Sequence, residues 1–389
     1  MRILHVIPSV SPVHGGPSRA IVDMERTLAR AGVAVTTLTT DDDGPGRRFA
    51  KAPQSPDSGV ERVYCRKWTE FYKTSPGLVV WLMRNVHRYD VVHIHALFSF
   101  SSVAAALVAY LRGVPYVVRP LGTLSRYGMT MRRRGLKELS FSLIESRILR
   151  HAAAVHCTSR LEQEEAEALG VAMHAVIVPL GIEAAWPASH AGTSGQSATR
   201  AASTILYLSR LDPKKNLEGL LHAMAELRTC HPDLILEVAG SGDGAYVQRL
   251  KQLARDIGVF ERVRWLGHVE GEDKVAAFER ADIFVLPSHS ENFGIAPVEA
   301  LLAGLPCVLG RGVAIADDVE RAGAGVAVDV TPTAIATAVA SMLENEAERV
   351  RMGANARRIA IGEYSLATMG RRLVDLYAQI ARSEKVAYA

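Results

Sequence analysis

The chain has 389 residues, about twice the length of a typical domain, so two domains are the default expectation. Hydrophobic residues make up 48% and charged residues 22%, a composition typical of globular proteins that excludes a disordered or fibrous chain. Because no stretch reaches the roughly 18 apolar residues that cross a bilayer, the sequence predicts no membrane-spanning helix.

The net charge of +4 is unevenly distributed along the chain. Residues 1–186 carry 23 Lys+Arg and 16 Asp+Glu, a balance of +7, whereas the remainder has a balance of −3. Nucleic acid is not the expected partner, because aromatic residues make up only 6% and are not interleaved with the basic ones. The four cysteines form no Cys-x-x-Cys pair, which disfavours structural zinc and disulfides and favours a reducing cytoplasmic location.

Apolar runs alternate with amphipathic stretches through the first half, a pattern typical of α/β units. The N-terminus has one charge and a short apolar run ending at Pro8, which indicates a strand rather than a signal peptide. Each predicted strand is followed by a helix, so the sheet should be mainly parallel. The predicted strands are Arg2–Ile7, Val33–Thr39, Val91–His95, Pro115–Val118 and Ala153–Cys157, and the predicted helices are Ser18–Ala31, Gly77–Val86, Ser101–Leu111, Gly135–Leu149 and Arg160–Leu169.

Loops of the first half carry candidate functional residues. Gly15 and Gly16 precede the first helix, where paired glycines let N–H groups approach phosphate oxygens, although a tight turn explains them equally well. His93 and His95 share one face of their strand, and His95, at its carboxyl end, is the better candidate for reaching a ligand crevice. Asp41 ends the second strand and would suit a ribose contact in a dinucleotide-binding alternative.

A basic cluster lies in the helix-rich segment near residue 140. Such a cluster is usually a solvated helix face. The alternative is docking on anionic lipid or an anionic acceptor, where each near-surface cation contributes about 1 kcal/mol. The cluster consists of Arg126, Arg132, Arg133, Arg134, Lys137, Arg147 and Arg150.

Residues 187–203 contain no large apolar side chain and indicate a linker, after which the α/β pattern restarts. The second set of predicted strands is Thr204–Leu208, Leu234–Ala239, Val263–Leu266, Ile283–Pro287, Cys307–Leu309 and Gly325–Val328, with helices from Thr333 to Leu343 and from Ala347 onward. The sequence therefore predicts an α/β fold of two Rossmann-like domains with mainly parallel sheets and a cleft between them. Their bounds are 1–186 and 204–364, with a terminal helical segment at 365–389.

The run from Ser290 to Glu299 places two carboxylates on a predicted strand-to-helix turn. Pro297 fits the first helical position, so Glu299 should fall in the first helical turn and Glu291 in the loop before it. Gly294 lets the backbone approach a ligand, while N–H groups at the helix start point outward. The arrangement suits a polyol beside a phosphate, although either acid alone would ordinarily complement the helix dipole or face solvent.

Two further loops of the second half could bind phosphate or ribose. Arg210 offers a bidentate fork and Lys215 a point charge before a predicted helix, where cations oppose the helix dipole and so favour an anion as partner. Ser241 lies between Gly240 and Gly242, which permit close backbone approach near a nucleobase or ribose. The histidines and acids lack metal-ligand spacing such as His-Glu-x-x-His, so no metal is predicted.

These motifs, in this order, resemble glycosyltransferase family 4, whose Glu-x7-Glu signature corresponds to Glu291 and Glu299. The resemblance covers nearly the whole chain and is strongest from Leu206 to Leu309. It implies the GT-B arrangement of two Rossmann-like domains, with the last helix packing back on the N-terminal domain. It also implies metal-independent, retaining transfer from a nucleoside-diphosphate sugar, which serves as co-substrate with no other cofactor.

The resemblance also implies roles for single residues. Glu299 would grip the donor ribose, and Glu291 would contact hydroxyls of the transferred sugar. Arg210 and Lys215 would neutralise the diphosphate as its bond to the sugar breaks, and His95 would lie near the reacting carbon. The donor would further be approached by Gly15 and Gly16 and by the backbone N–H groups of Asn292, Phe293 and Gly294.

Arg119, Thr123 and Arg126, with the basic segment that follows, resemble the acceptor side of bacterial polysaccharide and lipopolysaccharide glycosyltransferases. The implied acceptor is a glycan or lipid-linked saccharide at the inner face of the cytoplasmic membrane. After Leu309 the chain lacks the usual Gly-Gly-x-x-Glu, so contacts from that loop stay unassigned. Three alternatives stay open: a sugar-nucleotide epimerase of the same architecture, an NAD-dependent oxidoreductase, and a non-catalytic sugar-nucleotide binding module.

Overall fold

The structure is a computed structural model that describes residues 1–49, 53–55, 57, 59–125, 129, 134–183 and 203–387. The chain divides into an N-terminal unit, Met1–Gly181 with Leu366–Ala389, and a C-terminal unit, Ile182–Ser365. Each unit has one parallel sheet flanked by helices, which confirms the predicted fold class of two Rossmann-like domains. The predicted linker lies outside the described residues except for Ser203. Within the described chain, no helix combines the length and apolarity needed to cross a membrane.

The N-terminal sheet has seven strands. They are β1 (Arg2–Val6), β2 (Ala34–Thr40), β3 (Val60–Cys65), β4 (Val91–His95), β5 (Tyr116–Arg119), β6 (Ala154–Cys157) and β7 (Ala175–Ile177). They pair in the order β3-β2-β1-β4-β5-β6-β7. The sequence patterns missed β3 and β7, because these edge strands are only partly buried and lack the long apolar run of a central strand. The prediction that a helix follows every strand is wrong for β2, since the described residues between β2 and β3 contain none.

The N-terminal helices begin and end close to the predicted bounds. They are α1 (Gly16–Arg30), α2 (Pro76–Asn85), α3 (Phe100–Leu111), α4 (Arg134–Ser140), α5 (Ser146–His151) and α6 (Arg160–Glu167), with 3-10 turns at Pro12–His14 and Val86–Arg88. A π-helical turn, Phe141–Glu145, joins α4 to α5, where the sequence predicts one regular helix. Helices α2, α3 and α5 share one core, in which Leu82, Ala105 and Leu149 pack against the sheet.

The C-terminal sheet has six parallel strands in the order β10-β9-β8-β11-β12-β13. They are β8 (Thr204–Leu208), β9 (Ile235–Ala239), β10 (Val263–Gly267), β11 (Ile283–Leu286), β12 (Cys307–Gly310) and β13 (Gly325–Val328). The helices are α7 (Leu217–Leu227), α8 (Gly244–Asp256), α9 (Gly271–Arg280), α10 (Ile295–Ala303), α11 (Ala316–Arg321), α12 (Pro332–Glu344) and α13 (Glu346–Tyr364), with 3-10 turns at Pro213–Lys215 and Phe260–Arg262. The last helix, α14 (Leu366–Ala387), belongs to the N-terminal unit and contacts α1.

Candidate active site

Four loops meet at the carboxyl edge of the C-terminal sheet, where ligands of doubly wound sheets bind. Strand β8 lies between β9 and β11, and β12 lies beyond β11, so the loops that follow these strands are neighbours. Main-chain hydrogen bonds run from Leu211 N to Ser241 O at 2.8 Å, from His289 N to Lys214 O at 2.9 Å, and from Glu291 N to Gly312 O at 2.8 Å. The four loops therefore form one bonded platform.

Two glycines permit this close packing of one loop on the next. A Cβ on Gly240, whose φ is +142°, would lie 1.8 Å from the carbonyl oxygen of Ser209. A Cβ on Gly312 would lie 2.1 Å from the carbonyl oxygen of His289. The sequence interpretation assigned Gly240 to ligand approach, whereas the structure uses it for approach of the neighbouring loop.

Lys215 is held by a short capped turn between β8 and α7. Asp212 opens the turn and accepts a hydrogen bond from Lys214 N at 3.0 Å. Asn216 closes it in the left-handed conformation, with φ 53° and ψ 44°. The Asn216 side chain then caps α7 by accepting from Gly219 N at 3.2 Å and donates to Val330 O at 2.9 Å. The turn is thus held by Asp212 before Lys215 and by Asn216 after it, and this fixes the direction of the Lys215 side chain.

Lys215 contacts Glu291, so the structure brings together a cation and a carboxylate that lie far apart in sequence. The Lys215 side chain is only 8% exposed, and that of Glu291 is 22% exposed. Burial, and then the positive charges of Lys214 and Arg210, lowers the pKa of Lys215 to about 8. The Glu291 carboxylate opposes this shift, because an adjacent anion favours the ammonium form. A second anion, such as a phosphate, would also be favoured beside these three cations.

The lowered pKa of Lys215 predicts a pH dependence of anion binding. The ammonium form of Lys215 binds a diphosphate, and raising the pH through about 8 deprotonates Lys215 in the protein without ligand. We therefore expect the affinity for a nucleoside-diphosphate sugar to be constant below pH 7 and to fall up to about tenfold per pH unit above pH 8. Lys215→Arg should remove this dependence, since a guanidinium stays charged throughout. Calorimetric titrations from pH 6.5 to 9.5 measure both curves, and parallel curves would contradict the assignment.

The second carboxylate, Glu299, lies on α10 and is paired with Lys274 of α9. The Lys274 Nζ to Glu299 Oε1 distance is 2.7 Å, and both side chains are mostly buried. Helix α10 begins at Ile295 after Gly294, whose φ is +84°. Pro297 is therefore the third helical residue and Glu299 the fifth, which corrects the prediction that they occupy the first position and the first turn. The helix starts two residues earlier than predicted, because Gly294 adopts the left-handed conformation that ends the loop.

The remaining predicted donor residues of the C-terminal unit lie in the loops that follow β8, β9 and β11. Arg210 is exposed at the end of β8, and Ser241 is exposed after β9. Phe293 is buried, with its ring edge against Tyr364 at 5.7 Å between centroids, so it anchors the loop in the core of the unit. Asn292 is partly exposed, and its backbone N–H precedes the start of α10. The structure thus gathers two lysines, an arginine and two carboxylates at one edge.

In the N-terminal unit, Gly15 and Gly16 are exposed at the start of α1. Nothing lies within 4 Å of a Cβ built on either glycine, and Gly15 has φ +70°. The carboxyl edge of this sheet is also conformationally strained. Left-handed conformations of non-glycine residues occur there at Tyr72, Lys73, Ala96, Phe98 and Leu121. Backbone strain of this kind is often found at functional sites.

His95 is fully buried, which corrects the expectation that it reaches a crevice. Its Nε2 lies 2.7 Å from Nδ1 of His5, because its strand face is the one that points into the unit. Nitrogen atoms of His5, His93 and His95 lie within 4.8 Å of one another, a grouping that the residue spacing did not predict. Burial lowers the pKa of His95 well below its usual range, and His5 and the charge of Arg119 add to this effect. The Arg119 charge also disfavours a cation among these rings.

The three predicted acceptor residues have different surroundings. Arg119 is buried, which contradicts a surface contact, and burial lowers the pKa of its guanidinium to about 10. The strand register explains the burial, because Arg119 pairs with His95 inside the sheet. Thr123 is partly exposed and donates to Pro120 O at 2.7 Å. Arg126 lies outside the described residues, as do Arg132 and Arg133 of the basic cluster.

Two α/β units, each built on one parallel sheet, are characteristic of the GT-B fold. Residues 198–359 match the family described as glycosyl transferases group 1, and residues 15–181 match the glycosyl transferase 4-like domain. The chain belongs to this family of GT-B glycosyltransferases and is an enzyme of the hexosyltransferase class.

The chain is similar to known glycosyltransferases, either over nearly its whole length or over about half of it. Glycogen synthase of Mycobacterium tuberculosis is 26% identical, over 99% of this chain and 96% of its own length. D-inositol 3-phosphate glycosyltransferase of Corynebacterium kroppenstedtii is 34% identical, over 46% of this chain and 41% of its own. Among solved structures, sucrose-phosphate synthase of Thermosynechococcus elongatus is 20% identical over 98% of this chain and 100% of its own, with a TM-score of 0.75. Anabaena HepE, in complex with UDP and glucose, is 19% identical over 97% of this chain and 100% of its own, with a TM-score of 0.72.

Sequence reasoning missed two residues that hold the candidate site together. Lys274 pairs with Glu299 across two helices, and no spacing along the chain signals that contact. Asn216 stands directly after Lys215, and an asparagine before an apolar helical run is a recognisable N-cap signal. That signal was sufficient to find Asn216, whereas Lys274 needed the three-dimensional structure.

Proposed function

We propose that the chain transfers a sugar, with retention of anomeric configuration, from a nucleoside-diphosphate sugar to a glycan or lipid-linked acceptor. The observation that carries the proposal is the contact of Lys215 with Glu291 beside exposed Arg210. A diphosphate and a polyhydroxylated ring need this combination of cations and a carboxylate in one place. Two similar proteins support a nucleotide-sugar donor: HepE, in complex with UDP and glucose, and the GDP-mannose-dependent phosphatidylinositol monomannoside mannosyltransferase of Mycolicibacterium smegmatis, which is 33% identical over 44% of this chain and 47% of its own.

The proposed roles follow from charge and position. Lys215 and Arg210 bind the diphosphate, on which negative charge develops as the sugar leaves, so they stabilise the transition state more than the ground state. Glu291 accepts hydrogen bonds from sugar hydroxyls, and Glu299, which is paired with Lys274, accepts them from the ribose. Backbone N–H groups of residues 292–294 and the Ser241 loop complete the donor site. In the N-terminal unit, Gly15 and Gly16 keep a proposed phosphate contact and Thr123 an acceptor contact.

The proposed chemical step is a front-face displacement. The bond between the anomeric carbon and the diphosphate oxygen breaks, and the acceptor oxygen bonds to the same face of that carbon. The acceptor proton passes to the departing diphosphate. With the two cations in place of a metal, transfer is proposed to persist in a chelator. Because His95 is buried, the proposed step uses Lys215, Arg210 and the two glutamates and not His95.

The biological setting is proposed to be synthesis of a bacterial surface polysaccharide or glycolipid in the cytoplasm, with peripheral contact at the anionic inner face of the membrane. The relatives named for phosphatidylinositol monomannoside and for inositol 3-phosphate support a glycolipid or glycan acceptor. The basic cluster supports the membrane contact through its charge alone.

A thermal-shift panel of UDP-, GDP-, ADP- and dTDP-sugars, with NAD for comparison, tests the donor assignment. A ligand at 100 times its Kd stabilises the folded state by about 2.7 kcal/mol, which corresponds to a Tm increase of about 5 to 10 °C. The responding sugar nucleotide is then incubated with candidate glycans, with and without EDTA. A response to NAD alone would contradict the proposal, and conversion of the donor to its epimer without an acceptor would identify the epimerase alternative.

A further inference from the structure

One helical face of the N-terminal unit exposes an unusual concentration of apolar side chains. Fifteen large hydrophobic residues are exposed among the described residues, and nine of them lie on α2, α3 and the helical segment 134–151. They are between 37% and 65% exposed. The nine are Val80, Met83, Leu107, Tyr110, Leu111, Leu136, Leu139, Leu143 and Ile144. Single exposed apolar residues need no explanation, but a concentration of this kind marks an interaction surface.

Five of the nine side chains lie on α2 and α3, which together with α5 form one layer that we call the basic helical face. The inner sides of α2, α3 and α5 pack on one core against the same side of the sheet. The Tyr110 ring of α3 contacts His151 of α5 at 4.9 Å between centroids. Arg112, after α3, donates to Met83 O of α2 at 3.2 Å. The outer sides of these helices therefore form a single surface.

The charge of this face is almost entirely positive. Helices α2, α3 and α5, with the residues that directly follow them to Arg88 and Arg112, contain no Asp or Glu. Glu138 is the exposed acid of segment 134–151. The exposed cations are Arg84, Arg88, Arg112, Arg147 and Arg150, and none of them forms an ion pair within the described part of the chain. The partner should therefore be anionic and apolar at once.

These properties select among partners. A two-fold contact with a second copy would place five arginines against the same five, which is repulsive. Nucleic acid requires stacking aromatics, whereas the exposed large side chains here are aliphatic apart from Tyr110. A bilayer surface satisfies both features, because aliphatic side chains enter the boundary of headgroups and acyl chains while arginines bind lipid phosphates.

We propose that the basic helical face docks on an anionic lipid bilayer through Leu107, Tyr110 and Leu111, with the surrounding arginines on lipid headgroups. The proposal deepens the peripheral contact suggested under the proposed function, because it adds apolar insertion to charge and includes two helices outside the basic cluster. The exposed end of α3 directly precedes β5 and so lies at the amino edge of the sheet. Docking there leaves the carboxyl-edge loops of the unit accessible.

The test measures partition of the full chain onto phosphatidylcholine vesicles with and without 30% phosphatidylglycerol, in the absence of donor and acceptor. Wild type should bind the anionic vesicles and not the neutral ones. Leu107→Ser with Leu111→Ser should reduce binding at least tenfold, and Arg84→Gln with Arg150→Gln should reduce it about fivefold per arginine. Val350→Ser with Ile361→Ser, which alters exposed apolar residues of α13, is the matched control and should bind as wild type does.

Thermal unfolding of each variant checks that the fold is retained, which is expected because all the substituted side chains are exposed. Loss of binding in the arginine variant alone would reduce the contact to unspecific charge and overturn the insertion proposal. Equal binding of all variants, or no binding of wild type at low salt, would overturn it as well. Because no transfer is measured, failure here leaves the donor assignment untouched, and failure of the donor assignment leaves this result untouched.

Discussion

Replacing Lys215 with alanine is expected to lower kcat/KM for sugar transfer by about 10²- to 10³-fold, the usual cost of removing one preorganised charge-stabilising group. Lys215 is buried, fixed by the Asn216 turn and in contact with Glu291, so its charge is already oriented before the donor binds. Steady-state kinetics with the donor from the thermal-shift panel measure the effect. Most of the loss should appear in kcat, because the charge on the diphosphate grows in the transition state.

Two variants make the Lys215 result specific. Lys215→Met keeps the aliphatic stem and should lose the same activity, which separates charge from packing. Lys214→Ala removes the adjacent cation, which is less buried than Lys215, and should change kcat/KM by only a few-fold. Both should retain the wild-type fold by circular dichroism. A Lys215→Met enzyme with more than a tenth of wild-type activity would contradict the role of Lys215.

Glu291→Ala is expected to lower kcat/KM about as much as Lys215→Ala does. The coupling between the two substitutions distinguishes two roles for the carboxylate. If Glu291 contacts the sugar only, its loss and that of Lys215 should be additive. The contact in the structure predicts non-additivity instead, because each single variant already disturbs the other side chain. A double-mutant cycle on kcat/KM resolves the two cases.

The sequence was sufficient for the fold class, and it singled out Lys215 and Glu291 before their contact was known. Buried parallel strands such as β8 and β11 have continuous apolar runs that a periodicity argument detects. Strand order is a different matter, since nothing local shows that β8 pairs with β11. The contact of Lys215 with Glu291 depends on that pairing, and so the sequence predicted both residues without predicting that they touch.

Errors in the site predictions have a common physical origin. Position along a strand indicates which face a side chain occupies but not what covers that face. His95 and Arg119 lie at the carboxyl ends of adjacent strands, as a crevice residue should, yet both point into the covered interior of the N-terminal unit. The start of α10 was misplaced for a similar reason. Gly294 can either loosen a loop or cap a helix, and only its φ of +84° decides.

Gly240→Ala is expected to destabilise the C-terminal unit and weaken donor binding together. The added Cβ would lie 1.8 Å from Ser209 O, and the backbone has a positive φ that alanine rarely adopts. Overpacking and backbone strain of this kind cost about 2–5 kcal/mol in combination. The neighbouring loop must then move, and that loop carries Arg210, so the affinity for the nucleoside-diphosphate sugar should fall with the melting temperature.

Gly244→Ala, four residues further along, is the matched control. Gly244 is the first residue of α8, has no neighbour within 4 Å of a built Cβ and does not have a positive φ. Alanine there should be neutral or stabilise by about 0.4–1 kcal/mol, because it restricts the unfolded chain. Differential scanning calorimetry and donor titration give the stability and the donor affinity of each variant. Unchanged stability with weakened donor binding in Gly240→Ala would show that the glycine approaches the ligand, as the sequence interpretation held, and not the adjacent loop.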